Sequence, residues 1–435
     1  WIDIVTLACY FLVITVIGVW ASRSVKDTTD FVMPRKFGKI MMALFGFGAG
    51  THSDQAVSVA AKSYSSGVSG IWYQWLWLFC TPFYWLIAPM MRRFRALTTA
   101  DVFEARYDKS VSVLFAIVGI FQYVVNIAAM LIGASVVIEA STNGALEARF
   151  IIPIVTLLFV IYGTAGGLSA AIVTDFIQGI LAIFFSFLLL PYVLHAVGGM
   201  PGLHEYAAST GRTSLMTLTA PEEITAFYVF VLSLNGLIGI VAQPHILSNC
   251  AAGKTEFDGQ FGFVAGNFLK RLCTIAWCLI GVAGVAYVAK LGMEDQVEAK
   301  SVFGFVAGEI LPNVLPGLLG LFLAGLIAAV MSTCDAYMVC TAGLFTENIY
   351  KPLIKKYSKE EKSERHYLLV ARAAAVGVVG LGVLLAYQID DPVKALVIFW
   401  KIAPMMGIAF WLGLFWRRAT PKGAWASSLA GFGTW

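Results

Sequence analysis

The chain has 435 residues, of which 59% are hydrophobic and 13% are Asp, Glu, Lys or Arg, where an ordinary soluble domain carries about 25% charged residues. With a mean hydropathy of +0.79, this composition excludes a large soluble domain and marks a polytopic membrane protein. The formal net charge of +4 decides little, because where Lys and Arg stand outweighs their sum.

A spanning helix needs about 20 apolar residues. Runs of that kind fall near 1–21, 38–60, 67–91, 110–140, 149–164, 170–198, 223–247, 262–289, 311–346, 367–388 and 393–416, with a last one starting at 423. That makes twelve, the last cut short. Residues 1–21 lack a basic leader and a cleavage-like site, so they read as a span and not a signal peptide. The start at Trp1 without Met, and the stop at Trp435 inside an apolar segment, read as a piece of a longer protein. With residue 1 outside, the inside segments are 22–39, 91–109, 165–169, 248–271, 350–372 and 417–422. They hold 23 of the 30 Lys and Arg, the asymmetry expected of cytoplasmic loops. Lys62 is expected near the outer end of its helix, solvated. The seven Cys (9, 80, 250, 273, 278, 334 and 340) lie in or beside apolar runs. None has the His partners of a metal cluster, and all read as small hydrophobes.

Two of the runs are weak as helices. The run from 38 reads GKIMMALFGFGAGTHSDQAVSVAAKS. Gly46, Gly48 and Gly50 lead into Thr51, His52, Ser53, Asp54 and Gln55 at membrane depth. Such a polar run must face protein or water, and it reads as a discontinuous helix of the kind that forms midplane sites in transporters. The run 223–247 has Ser233-Leu234-Asn235-Gly236 at its centre and then Gln243-Pro244-His245. The two occupy matching places if 38–198 and 223–416 are two five-helix halves, flanked by an extra span at 1–21 and the start of another at 423–435. No residue-level repeat joins the halves.

The segment AGLIAAVMSTCDAYMVCTAGLFTENIY, residues 324–350, places Ser332, Thr333 and Asp335 at the centre of an apolar helix. Hydroxyls and a carboxylate are costly there and persist where they line a cavity or hold an ion. A hard cation such as Na⁺ takes oxygen ligands, which adjacent hydroxyls and freed backbone carbonyls supply. The alternative is that the hydroxyls bond back to carbonyls one turn earlier. No nucleophile–base pair, metal cluster or phosphate loop supports an enzyme, since GTAGGL lacks a following Lys-Ser/Thr.

Four segments in register resemble the sodium/solute symporter family, which includes the proline, pantothenate and sugar sodium symporters. They are YGTAGGLSAAIVTDFIQ at 162–178, the Met-Ser-Thr segment with its Thr-Glu-Asn-Ile-Tyr end, the weak helix around Gly48–Gln55, and GLFWRRATPKGA at 413–424. The resemblance implies an all-α fold with an inverted five-plus-five helix core of the leucine-transporter type and extra terminal helices. It implies a sodium site formed by backbone carbonyls of Gly48, Thr51 and Ala329 with the hydroxyls of Ser332 and Thr333. Asp175, beside the sodium path in related proteins, and Asp335, where some two-sodium members carry Ser, form either a second cation site or a coupling pair; the plainer reading makes Asp335 a structural cap.

Polar residues expected around the solute are His52, Ser53, Gln55, Gln74, Gln122, Asn126, Asn235 and Gln243. Gln55 matches a Gln that the similar sugar symporters use. Gln74 stands where those symporters use a Glu, and the loss of a fixed anion weakens the sugar analogy. Gln243-Pro244-His245 is closer to the proline and pantothenate branch, yet Gly236 and Ile240 replace the aromatic residues of the proline pocket. Gly236 would leave room for a larger solute or a differently lined pocket. Lys401 is either a partner for a solute carboxylate or a snorkelling residue, and His52 serves solute, proton sharing or packing. Trp72, Trp75 and Trp77 read as packing.

The expected activity is sodium-coupled symport of a small polar organic solute (carboxylate, amino acid or sugar) by alternating access. The expected setting is the plasma (inner) membrane with the N-terminus outside, with lipid, Na⁺ and the solute as partners and no nucleic acid. Two other readings stand beside it. One is a membrane sensor domain of a histidine kinase. The other is a proton-coupled or uncoupled carrier, against which the intact Ser332 and Thr333 argue.

Overall fold

A computed structural model describes residues 2–22, 31–220, 223–357, 362–389 and 391–434. Among these residues, extended pairing is confined to two single bridges, Phe37 with Gly253 and Ala220 with Ile224. Each of the twelve apolar runs is helical. The elements that matter are α1 (Ile2–Ser22), α2 (Lys39–Gly48), α3 (Ser53–Ser66), α4 (Tyr84–Arg93), α5 (Lys109–Ser141), α6 (Ala148–Leu188), α7 (Ala226–Ile240), α8 (His245–Ala251), α9 (Glu256–Leu291), α10 (Val302–Val314), α11 (Leu318–Gly343), α12 (Glu364–Ala386), α13 (Pro392–Ile402), α14 (Gly407–Phe415) and α15 (Pro421–Gly433).

Twelve spans were expected, two of them weak or discontinuous and the last cut short. Among the described residues, six helices are long and apolar enough to cross a bilayer, or seven if α7 and α8, bent by 67° at their break, count as one. The difference has local causes. The run 38–60 splits into α2 and α3, and 67–91 is a string of short helices ending in α4. The runs 149–164 and 170–198 join in α6, which bends between them at Gly167, whose φ of 54° is left-handed. A Cβ there would lie 2.6 Å from the Phe31 carbonyl oxygen, so glycine serves both the turn and the close approach. The side chains of residues 162–166, at the start of the Gly-Gly motif, lie outside the described residues.

The core is made of α5, α9 and α11, buried over 83%, 72% and 89% of their most apolar stretch, whereas α12 is 28% buried and faces outward. A row of small residues brings α9 onto α2. A Cβ on Gly262 would lie 2.4 Å from Met42, and one on Gly266 would lie 2.4 Å from the Ala43 carbonyl oxygen. Small residues four apart let two helices approach at backbone distance inside a membrane.

The start of the first discontinuous helix and the end of the second are tied together. Phe37, before α2, donates to the Ala252 carbonyl after α8 and accepts from the Lys254 amide at 2.7 Å. The Thr-Glu-Asn-Ile-Tyr end of the α11 segment is also an anchor. Asn348 donates to Asp101 and accepts from Thr98, each at 2.7 Å. Lys62 is part-exposed and pairs with the exposed Glu223 at 2.6 Å. Lys62 and then Ser66, both hydrogen-bonded to Glu223, hold that carboxyl below the usual carboxylate range.

Candidate functional site

The first break forms because the chain leaves the helix after Gly48 and restarts at Ser53, with His52 extended at φ −103°, ψ 154°. Leaving the helix frees carbonyls that an unbroken turn would have used. Two of them, Gly48 and Thr51, lie 2.9 and 3.4 Å from the Thr333 hydroxyl oxygen, and the Ala329 carbonyl, one turn back in α11, lies at 3.2 Å. One hydroxyl carries one proton, so it satisfies one of three carbonyls. The Gly48 carbonyl also accepts from the Thr51 amide at 3.1 Å, and the oxygens together form a neutral cluster, the donor set a hard cation takes. Ser332 brings a second hydroxyl against Gly48: a Cβ on Gly48 would sit 2.4 Å from its Oγ. Gly48, Thr51, Ala329, Ser332 and Thr333 are thus brought together, and their chemistry fits Na⁺.

Asp175, on α6 and fully buried, borders this cluster. Its Cγ lies 3.6 Å from where a Gly48 Cβ would be. It is within hydrogen-bond reach of Ser332 and electrostatic reach of Asp335. Beyond the pair stands Tyr10 of α1, which accepts from Gln178 at 3.2 Å and lies 3.7 Å from the Met331 sulfur. The flanking helix α1 therefore closes the carboxylate side.

A separate buried cavity of about 40 Å³ lies where the two breaks meet. Of the residues expected around a solute, His52, Gln55 and Gln243 line it. His52 meets the Tyr337 hydroxyl at 2.9 Å and the Asp54 carboxylate at 3.5 Å. Gln55 also caps α3, accepting from the His52 amide at 3.4 Å. The others are elsewhere. Ser53 is buried and donates to the Met130 carbonyl at 2.9 Å. Gln74, Gln122 and Asn126 are buried outside the cavity lining. Asn235 donates to the Trp400 carbonyl at 3.0 Å. It shares with exposed Lys401 a different cavity of about 380 Å³, lined also by Met405 and Thr434.

Gly236 leaves no free room: a Cβ there would meet Leu76 at 3.0 Å and the Trp77 ring at 3.2 Å. Trp77 itself lines the central cavity. Trp72 and Trp75 donate to the Leu218 and Arg271 carbonyls at 2.7 and 3.1 Å.

The residues missed in the sequence are Asn249, Asn267, Lys270, Arg271 and Tyr337, all lining this cavity. Lys270 and Arg271 are 5% and 4% exposed, inside α9 rather than in the inside loop where they were counted. Removing them leaves 21 of the 30 basic residues on the inside. The signal was present: both fall within the apolar run 262–289, and a charge inside a span is functional by default.

A sodium:solute symporter family model matches residues 31–431. The osmoregulated proline transporter OpuE of Bacillus subtilis (strain 168) is 26% identical over 99% of this chain and 87% of its own length. The sodium/pantothenate symporter of Escherichia coli (strain K12) is 24% identical over 98% and 88%. The sodium/glucose cotransporter of Vibrio parahaemolyticus is 25% identical over 97% and 82%. In structure, a Na⁺-coupled sialic acid symporter superposes with a TM-score of 0.83 at 19% identity, over 97% of this chain and 88% of that one. MhsT follows at 0.61 and 14%. The all-α architecture is that of the inverted five-plus-five transporters, and the chain belongs to the sodium:solute symporter family.

Proposed function

We propose that this membrane-integral symporter binds its coupling Na⁺ at Gly48, Thr51, Ala329, Ser332 and Thr333. Its solute binds in the cavity between the breaks of α2–α3 and α7–α8. The observation that carries the reading is the convergence of three backbone carbonyls on the Thr333 hydroxyl. The ligands are neutral, so the ion is held without a fixed anion and can be released. The Gly48 carbonyl belongs to the broken helix that also lines the solute cavity, which couples the two sites through one short piece of backbone. A cavity of about 40 Å³ holds little more than one water's share of liquid volume, ≈ 30 Å³. Solute therefore enters only when the half-helices move, as alternating access requires.

Asp175 and Asp335 form a second cation site beside Ser332, closed by Tyr10. Residues 38–198 and 223–416 act as the two repeats. The protein sits in the plasma membrane with its N-terminus outside, as the remaining charge asymmetry supports. One Na⁺ moved inward is worth about 2.3 kcal/mol per 100 mV, enough for roughly 50-fold accumulation of a neutral solute from voltage alone.

The test is Na⁺-dependent uptake in Ser332→Ala and Thr333→Ala. Each is expected to raise the Na⁺ concentration at half-maximal rate by about tenfold, the equivalent of 1.4 kcal/mol. Unchanged Na⁺ dependence in both variants would remove the site.

A further inference from the structure

The interior of α9 carries two adjacent basic side chains that the sodium site does not use. Lys270 donates to the Gly50 carbonyl in the first break, and Asp54 is within its electrostatic reach. Arg271 has no such partner. It is 4% exposed, and its Nε and Nη1 reach no acceptor. The side chains acting on it are those of Tyr84 and Cys80, a hydroxyl and a thiol. Both basic groups line the cavity between the breaks. A guanidinium stays charged in a protein and presents five N–H donors in a planar fork. Taking it out of water without an anion costs several kcal/mol.

Neighbouring amide side chains complete the lining. Asn267, one turn before Arg271, turns its Nδ2 back to the Phe263 carbonyl at 2.9 Å. Asn249 and Gln243 of the second break face the same space. The nearby acid, Asp54, is matched by Lys270 and His52, which leaves the charge of Arg271 over.

We infer that Arg271, assisted by Lys270, is the subsite for a carboxylate on the transported solute. The inference rests on the solute cavity proposed above and narrows the solute to an organic anion or a zwitterion. Arg takes a carboxylate as a two-pronged pair, and the free Nε and Nη1 leave one unused N–H donor on each of the two edges of the guanidinium. Lys270 is bound to the break itself. An arriving carboxylate competes with the Gly50 carbonyl for its ammonium, so solute binding reaches the same α2–α3 break whose Gly48 and Thr51 carbonyls meet Thr333.

The experiment is a thermal-shift titration of the purified full chain. The probes are acetate, lactate, pyruvate, benzoate and proline, each beside its neutral amide, with and without Na⁺ and with chloride held constant. At least one carboxylate should raise Tm in Na⁺ while its amide does not. Arg271→Gln should abolish that shift, or weaken the apparent affinity more than tenfold, while keeping the Tm rise caused by Na⁺ alone. Arg271→Lys should recover part of it. Equal stabilisation by amide and acid, or a wild-type response to Na⁺ with none to any carboxylate, would overturn the inference. Chloride bound at Arg271 in place of solute would give that second result. Loss of the Na⁺ response with the carboxylate preference intact would instead remove the sodium site and leave the inference standing.

Discussion

Thr333 is a single hydroxyl facing three carbonyls, and the proposed sodium site turns on that convergence. Gly48 matters as much, through what it lacks. A methyl there would press to 2.4 Å of the Ser332 oxygen and 3.6 Å of the Asp175 carboxyl carbon. Gly48→Ala is expected to cost about 1–3 kcal/mol as overpacking and to weaken Na⁺ binding with it, read as a lower Tm that added Na⁺ no longer raises. Ser332, Thr333 and Gly48 were legible in the sequence, because hydroxyls in an apolar run and glycines in a helix are local anomalies. Lys270 and Arg271 were equally anomalous, yet counting them towards the inside loop hid them. Tyr337 and Trp77 carried no signal, since an aromatic ring in a span reads the same whether it packs or lines a cavity.

At the scale of elements, α9 works through a spacing of four. Gly262, Gly266 and Lys270 lie one above another on its surface. The first two seat against Met42 and Ala43 of α2, and the third meets Gly50 just past the end of α2. The glycines set the distance at which the lysine arrives. Gly266→Leu should separate α9 from α2, lower Tm and cut uptake by tenfold or more, whereas the same change at Gly377 of α12, where a Cβ meets nothing within 4 Å, should leave both intact. Gly167→Ala tests the bend in α6. A left-handed residue with a side chain costs about 1–2 kcal/mol, and the clash with Phe31 adds to it, so the variant should melt at a lower temperature. The breaks in α2–α3 and α7–α8 were readable from Gly, Pro and polar residues. The reduction of 67–91 to short helical pieces was not, because its apolar composition is that of a straight span.

Across the whole molecule, orientation is the part most open to direct measurement. Single cysteines at Lys300 and Lys356 are expected to separate. The first should react with a membrane-impermeant maleimide in intact cells, and the second only after the membrane is opened. The reverse pattern would invert the molecule while leaving the sites untouched. The amino-acid sequence by itself determined that the chain is a membrane protein, where its helices lie, which family it resembles, and which oxygens are proposed for the ion. Those properties are written locally, in apolar run length, in glycine and proline, and in hydroxyls one turn from freed carbonyls. The tertiary structure alone decided which buried polar groups share a cavity. It set Asn235 and Lys401 apart from His52, filled the space beside Gly236 with Trp77, and carried Lys270 and Arg271 to the break after α2. Contacts between distant helices depend on where small residues allow two backbones to close, and no single run of sequence records both sides of such a contact.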